Sequence, residues 1–546
     1  MITLEQIVQQ FPFKSPRPGQ IECIEFILNN FASGKKYVIL EVPCGGGKSA
    51  IALTVANFFE STYMLTITKI LQDQLVGEFG ENGKLGNQLV DLKGRNSYEC
   101  PYYRANAEKM RASKLISHQQ YVRYRDEYFD CAEGHCRLKG KYRHEECISG
   151  NFCPYYVQKD KAMASKICLM NFAGFLAQTN FTQSFGKRSL LIVDECHNIE
   201  PQLLDFVSMT LNDHEFEGLK FPELDTAEEY AEWLEKSGAI LILEKKAFQA
   251  KCADDPKKAD ELESLKQKIR WFLEEMREED HDQWICEYQE TDRGHRLVFK
   301  PIYVRKHVKK YLFEIADHVL MMSATILNAN VMCNSLGIEK KDLAAKRLGS
   351  RFPVENRPIY YKPAVKVTGG KSQQHVWGPR LVDAVTEIVQ KYSGQKGIIH
   401  THNFAIAQMI MDETDPGIGR RFLFQKNFPN KQEMLEVHAR SQDTIIVAPA
   451  MHEGLDLSDD LSRFQIICKV PFPNFYEDKQ LAARKDVDSL YYDWLTALKL
   501  VQSVGRSIRS ATDWAHTYVI DEAFKWWYRD NQNMLPIWFK EAVKGI

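Results

Sequence analysis

The chain has 546 residues, 44% of them hydrophobic and 26% charged, with a formal net charge of −2. This length suits roughly three or four domains. The composition is that of a globular chain rather than a disordered one, and the near-neutral balance excludes a globally basic nucleic-acid binder, so an anionic partner must be held by a local groove. No apolar run approaches the ~20 residues of a membrane span, and the opening MITLEQIVQQFPFK lacks a charged segment leading into an apolar one, so neither membrane association nor a signal peptide is expected. Thirteen cysteines, an odd number, point to a reducing cytoplasm instead of a disulfide framework.

In chain order, YVILEV (37–42) predicts a strand running into the glycines of EVPCGGGKSA, and residues 50–60 show helical apolar spacing. Strand, glycine loop and helix is the context that a phosphate-binding loop needs. SLLIVDECHNIE sets Asp194 and Glu195 at the C-terminal end of a second strand, the edge where open parallel sheets bind ligands. Between 205 and 300, Leu262, Leu265, Ile269, Phe272 and Met276 form a helical apolar stripe among charged residues, which predicts an inserted helical subdomain. HVLMMSAT, KGIIHTH, DTIIVAPA and RFQIICKVPF are further strands. Strands alternating with helices, twice over, predict two parallel α/β domains.

A phosphate loop acts through successive backbone amides and the positive end of the following helix. Pro43, Cys44, Gly45, Gly46 and Gly47 would form that cradle, Lys48 would reach the β- and γ-phosphates, and the Ser49 hydroxyl would hold Mg²⁺. Val42 replaces the first glycine of the usual pattern. Alone, the loop also admits the lesser reading of a glycine-rich turn with a chance GKS; the later DECH stretch strengthens the phosphate-loop reading. Asp194 would bind Mg²⁺ through water, and Glu195 would orient and deprotonate the attacking water. In QSVGRSIRS, Gln502, Arg506 and Arg509 share one helix face, and two arginines there would stabilise charge at a γ-phosphate.

These stretches, in this order, resemble the superfamily-two DNA helicases of the XPD/DinG type, over nearly the whole chain. SPRPGQ, with Arg17 and Gln20, looks like the adenine-contacting segment. EVPCGGGKS resembles motif I, TITKILQDQL motif Ia, DECH (with His197) the DEAH box, MMSATI motif III, HEGLDL (with Glu453, Gly454 and Asp456) motif V, and QSVGRSIR motif VI. The resemblance implies two RecA-like motor domains with ATP between them, an iron–sulfur insertion and a helical arch in the first, and 5′ to 3′ movement on single-stranded DNA. The expected organisation is motor 1 in three parts (1–95, 161–204 and 301–327), the iron–sulfur insertion at 96–160, the arch at 205–300, and motor 2 at 328–546. The expected substrates are single-stranded DNA and forked or tailed duplexes, bound by a monomer.

Five cysteines fall between 100 and 153, and a [4Fe–4S] cluster needs four thiolates. Cys100 and Cys153 match the outer ligands of the resembled family. The inner pair comes from Cys131, Cys136 and Cys147; spacing does not choose among them, and the reading leans to Cys136 and Cys147 with Cys131 as the alternative. Tetrahedral zinc, with His135 or His144 replacing a thiolate, competes with this, although paired C-x-x-C knuckles are missing. Residues 93–125 mix Lys, Arg and Tyr, which suits a single strand held by charge and stacking. The leading expectation is an ATP-driven DNA helicase in the cytoplasm of a bacterium or virus-infected bacterial cell. The alternatives are an RNA helicase or protein-displacing translocase, and a non-hydrolysing scaffold.

Overall fold

The computed structural model describes residues 3–43, 45–80, 83–128, 130–132, 153–216, 218–253, 255–292, 294–350, 352–367, 374–449, 457–508, 510 and 512–546. The first strands are β1 (Tyr37–Glu41), β2 (Thr62–Thr66), β3 (Leu89–Leu92), β4 (Ile167–Asn171) and β5 (Arg188–Val193). The chain then leaves the domain through β6 (Met209–Asn212), β7 (Trp284–Thr291) and β8 (Gly294–Pro301), and returns with β9 (Ala316–Ser323) and β10 (Leu343–Arg347). Seven of these make a parallel sheet in the order β10-β1-β9-β5-β2-β4-β3. A parallel sheet is covered on both faces, and the side chains alternate accordingly. Val38, Leu40, Ile192 and Leu320 join one core, with the helix Lys48–Ala56. Ile39, Leu191, Val193 and Met321 join the other.

A second parallel sheet follows: β11 (Ile359–Val365), β12 (Gly397–His400), β13 (Phe422–Phe424), β14 (Ile445–Ala448), β15 (Phe464–Ile467), β16 (His516–Asp521) and β17 (Val543–Lys544). Its order is β13-β14-β12-β15-β16-β11-β17. The two units share a core: Trp494, Leu500 and Val501 of the helix Ser489–Val504 belong to the same buried cluster as Ile326, Leu327 and Met332 of the first unit. The Trp494 indole N–H donates to the Ile326 carbonyl at 2.8 Å. The two parallel-sheet motor domains expected from the sequence are therefore present.

Strand pairing moves one boundary. The sequence reading ended motor 1 at residue 327, yet β10 pairs in parallel with β1 along five residues, so the first sheet closes near residue 347. Its alternation is weak because it is an edge strand with one flank open. The inserted subdomain also contains more than helices. The stripe helix runs Pro256–Met276, with Leu262, Ile269 and Phe272 buried, but it packs on an antiparallel β6-β8-β7 sheet. Residues 284–300, expected as the end of the helical arch, form with Pro301 an antiparallel hairpin instead. Among the described residues no helix is long and apolar enough to cross a membrane.

Candidate nucleotide site and cysteine cluster

The glycine turn is built by exclusion of side chains. A Cβ on Gly46 would meet Val42 Cγ1 at 2.3 Å, and Gly47 has φ +79°, where only glycine is unstrained. The helix Lys48–Ala56 starts directly after it and carries Ser49 in its first turn. Arg17 donates through Nη1 to the Gly45 carbonyl, and Gln20 donates through Nε2 to the Gly46 carbonyl at 3.1 Å. The Arg17–Gln20 segment thus braces the loop, and the Gln20 side chain is buried in doing so. Cys44 lies outside the described residues.

Lys48 Nζ reaches across to the end of β5, 2.9 Å from Glu195 Oε1 and 4.0 Å from Asp194 Oδ1. Glu195 adopts φ +50°, a strained conformation for a non-glycine residue of the kind found at functional sites. Burial raises the Asp194 carboxyl to about 6. Burial acts on Glu195 in the same direction, but the adjacent Lys48, His197 and the hydrogen bonds from Lys48 and Ser323 outweigh it and hold the carboxyl far below its usual range. Glu195 is therefore an anion at neutral pH.

From Glu195 a chain of polar contacts crosses to the second motor. Ser323 Oγ donates to Glu195 Oε2 at 2.9 Å. His197 Nδ1 lies 2.8 Å from Ser323 Oγ. The amide nitrogens of Asn198 and Gln502 face His197 Nε2 at 2.9 and 2.7 Å. Gln502 Nε2 also lies 3.3 Å from Thr325 Oγ1. Arg506, one turn beyond Gln502, donates through Nε to the Gln502 carbonyl at 3.2 Å. The predicted Gln502, His197, Glu195, Asp194 and Lys48 are thus brought together. Arg509, Gly454 and Asp456 lie outside the described residues.

Sequence reasoning missed Ser323 and Thr325 as individual contacts, although both sit in the stretch read as motif III. It also missed Glu41, whose carboxylate accepts the Ile326 and Leu327 amides at 3.2 Å and pairs with Arg347 Nε at 2.5 Å. The signal was an acid at the end of an otherwise apolar strand. A buried Arg484 was missed as well. It lies 3.7 Å from the Tyr303 ring centroid and 4.4 Å from that of Tyr491, with Nε 3.7 Å from Glu200 Oε1.

Three of the five clustered cysteines converge. Cys131 Sγ lies 3.9 Å from Cys153 Sγ, and Cys100 is in hydrogen-bonding contact with Cys131, which lifts the Cys131 thiol above its ordinary range. Contact with Cys131 pulls Cys153 the other way, down to about 6. Cys131, ranked as the alternative from sequence, is thus central to the group. Cys136 and Cys147 lie outside the described residues, as do His135 and His144. The basic and aromatic stretch divides. Arg95 sits 4.4 and 5.0 Å from the Tyr155 and Tyr156 ring centroids, and the Tyr98 hydroxyl accepts the Lys93 amide at 3.1 Å, so these side chains serve packing. Lys109, Arg111 and Lys114 are exposed. The side chains of Tyr102, Tyr103, Tyr124 and Arg125 lie outside those described.

Comparison with known proteins agrees with this geometry. A family model described as "Helicase C-terminal domain" matches residues 386–542, and one described as "Type III restriction enzyme, res subunit" matches 13–216. The ATP-dependent DNA helicase CHL1 of Candida albicans is 31% identical over 115 residues, 18% of this chain and 13% of that protein. Its Aspergillus fumigatus counterpart is 26% identical over 144 residues, 21% of this chain and 18% of that protein. The matched segment spans less than a fifth of the length of these relatives. A solved XPD helicase superposes with a TM-score of 0.64 at 13% identity, covering 96% of this chain and 99% of that one, and S. tokodaii Xpd4 with 0.54 at 13%, covering 97% and 99%. The matched curated relatives are fungal. This stands against the expected cytoplasm of a bacterium or virus-infected bacterial cell. The chain thus carries a helicase C-terminal domain match over much of its second sheet and shares the fold of the solved XPD structures.

Proposed function

We propose that the protein is an ATP-dependent DNA helicase that translocates 5′ to 3′ on single-stranded DNA and unwinds tailed or forked duplexes. The observation that carries this reading is the contact chain Lys48–Glu195–Ser323–His197–Gln502, which links the phosphate loop to the second motor. A triphosphate on the loop competes with Glu195 for Lys48. Once released, the Glu195 carboxylate is free to take a proton from the attacking water. Its departure from Ser323 is felt at His197 and then at Gln502, so nucleotide state reaches the second motor through hydrogen bonds. Arg506 and Arg509 supply positive charge to the transition state. The donor set of Asp194 carboxylate and Ser49 hydroxyl is oxygen-only and fits Mg²⁺, which supplies charge neutralisation at the phosphates.

Cys100, Cys131 and Cys153 provide three thiols, and Cys136 or Cys147 the fourth, for a [4Fe–4S] cluster. Convergence of three thiols at one place supports this assignment, and the role of these side chains is to tie the helix Pro101–Ala112 to Pro154–Ala164, since Cys100 and Cys153 are the N-caps of the two. DNA-stimulated ATPase and unwinding assays on duplexes with 5′ or 3′ tails, of DNA and RNA, test the function. Unwinding of 5′-tailed DNA that is lost in Lys48→Ala is expected; ATPase that survives Lys48→Ala, or unwinding confined to RNA, refutes it.

A further inference from the structure

A second polar cluster lies at the root of the inserted subdomain, away from the nucleotide loop and the cysteines. Glu275 is in the last turn of the helix Pro256–Met276, Asp282 is in the loop before β7, and His307 is in the short helix Arg305–Val308 of the first motor. One ring nitrogen of His307 and one oxygen from each carboxylate lie within 4.8 Å of one another. The His307 side chain is only 7% exposed. Its Nε2 lies 2.9 Å from Glu275 Oε2, while its Nδ1 has no hydrogen-bond partner among the described residues and lies 3.9 Å from Asp282 Oδ2, which is likewise buried and unpartnered among them. Buried polar atoms are nearly always paired, and these two face each other at a separation too long for a hydrogen bond. Two ligands of one zinc ion, each about 2.0–2.2 Å from the metal, stand ~3–4 Å apart. The basic side chain of Lys306, next in the chain, is turned to Glu278 and Asp280 at 3.6 and 3.7 Å.

We propose that Glu275, Asp282 and His307 form a divalent-cation site of zinc-like chemistry that pins the inserted subdomain to the first motor. Imidazole with two carboxylates suits Zn²⁺ better than Mg²⁺, which avoids nitrogen, so this site is chemically distinct from the Mg²⁺ expected at the nucleotide. It also differs from the cysteine group, which offers sulfur.

The test is zinc content after equilibration of the full chain with Zn²⁺ and dialysis, in the wild type, Asp282→Asn and His307→Asn. All three keep every cysteine, so thiolate-bound zinc is common to them. One equivalent more per chain in the wild type than in either variant is expected, together with a Zn²⁺-dependent rise in melting temperature seen in the wild type only. Equal zinc in all three overturns the proposal, as does a wild type that binds none because the ring is held as an imidazolium between the carboxylates. Should a variant fail to fold, ¹¹³Cd NMR of the wild type decides. Nitrogen- and oxygen-bound cadmium resonates well apart from thiolate-bound cadmium, and absence of the former refutes the site.

Discussion

The amide nitrogen of Gln502 lies 2.7 Å from Nε2 of His197 although 305 residues separate them. This contact joins the second motor to the residue two positions past Glu195, and through Ser323 to Glu195 itself. Replacing Gln502 with alanine removes the donor and leaves a buried imidazole nitrogen with one fewer partner. DNA-stimulated turnover is expected to fall about fivefold with little change in ATP affinity, since one such hydrogen bond is worth about 1 kcal/mol and the effect falls on coupling. Steady-state kinetics beside nucleotide titration separates the two; an equal loss in both would assign Gln502 to binding.

Glu195→Gln keeps the shape of the carboxylate and removes its basicity. Hydrolysis is expected to drop by ~10²–10⁴ with ATP still bound. Lys48→Ala, by contrast, is expected to lose binding. Equilibrium binding of a fluorescent nucleotide against single-turnover hydrolysis tells the two apart.

Asp194 titrates at about 6 because burial disfavours its charge, against ~3.9 in an unfolded chain. A raised folded value means that the native state holds the proton more tightly. The associated cost to stability is absent below about pH 4, grows as pH rises to about 6, and is complete above that. Asp194→Asn is therefore expected to melt about 2 °C or more above the wild type at pH 7.5 without Mg²⁺, with the gap closing as pH falls towards 4. A gap independent of pH would show that the carboxylate charge is not its source.

For the cysteine group, Cys131→Ser is expected to abolish bound iron and the broad visible absorption of an iron–sulfur protein, from about four irons per chain. Of Cys136→Ser and Cys147→Ser, one is expected to do the same and the other to leave iron unchanged. Zinc in place of iron after anaerobic purification would replace the cluster assignment.

The exposed Lys109, Arg111 and Lys114 offer a phosphate-binding face on the helix Pro101–Ala112 and just beyond it. Their triple change to glutamine is expected to weaken single-stranded DNA binding at low salt and to flatten log K against log[salt] by about 0.7 for each phosphate no longer neutralised. An unchanged slope removes this face from the DNA path.

Most of the motor architecture was legible because parallel strands buried on both faces leave continuous apolar runs. YVILE, SLLIV and HVLMMS coincide with β1, β5 and β9 to within two residues. The edge strand β10 was not legible, because LAAKR has one open flank and little apolar character. The β7–β8 hairpin alternates weakly and was absorbed into the helical stripe next to it. At the site, side chains acting on phosphate or water announce themselves by type and position. Ser323, Thr325 and Glu41 act on other protein groups, and such roles carry no local signature. Cys131 was underrated for a similar reason: spacing along the chain says nothing about which thiols the fold brings back together.

The inserted subdomain is gripped from both sides. Beyond its own root in motor 1, Lys300 pairs with Asp478 at 3.4 Å, Glu287 with Lys479 at 3.6 Å, and Gln480 donates to the Ile302 carbonyl at 3.0 Å. Asp478 through Gln480 begin the helix Lys479–Val487 of motor 2, which also carries the enclosed Arg484. The subdomain is thus geared to the relative rotation of the two motors. Any rotation of one sheet against the other would therefore have to stretch or carry these three contacts with it.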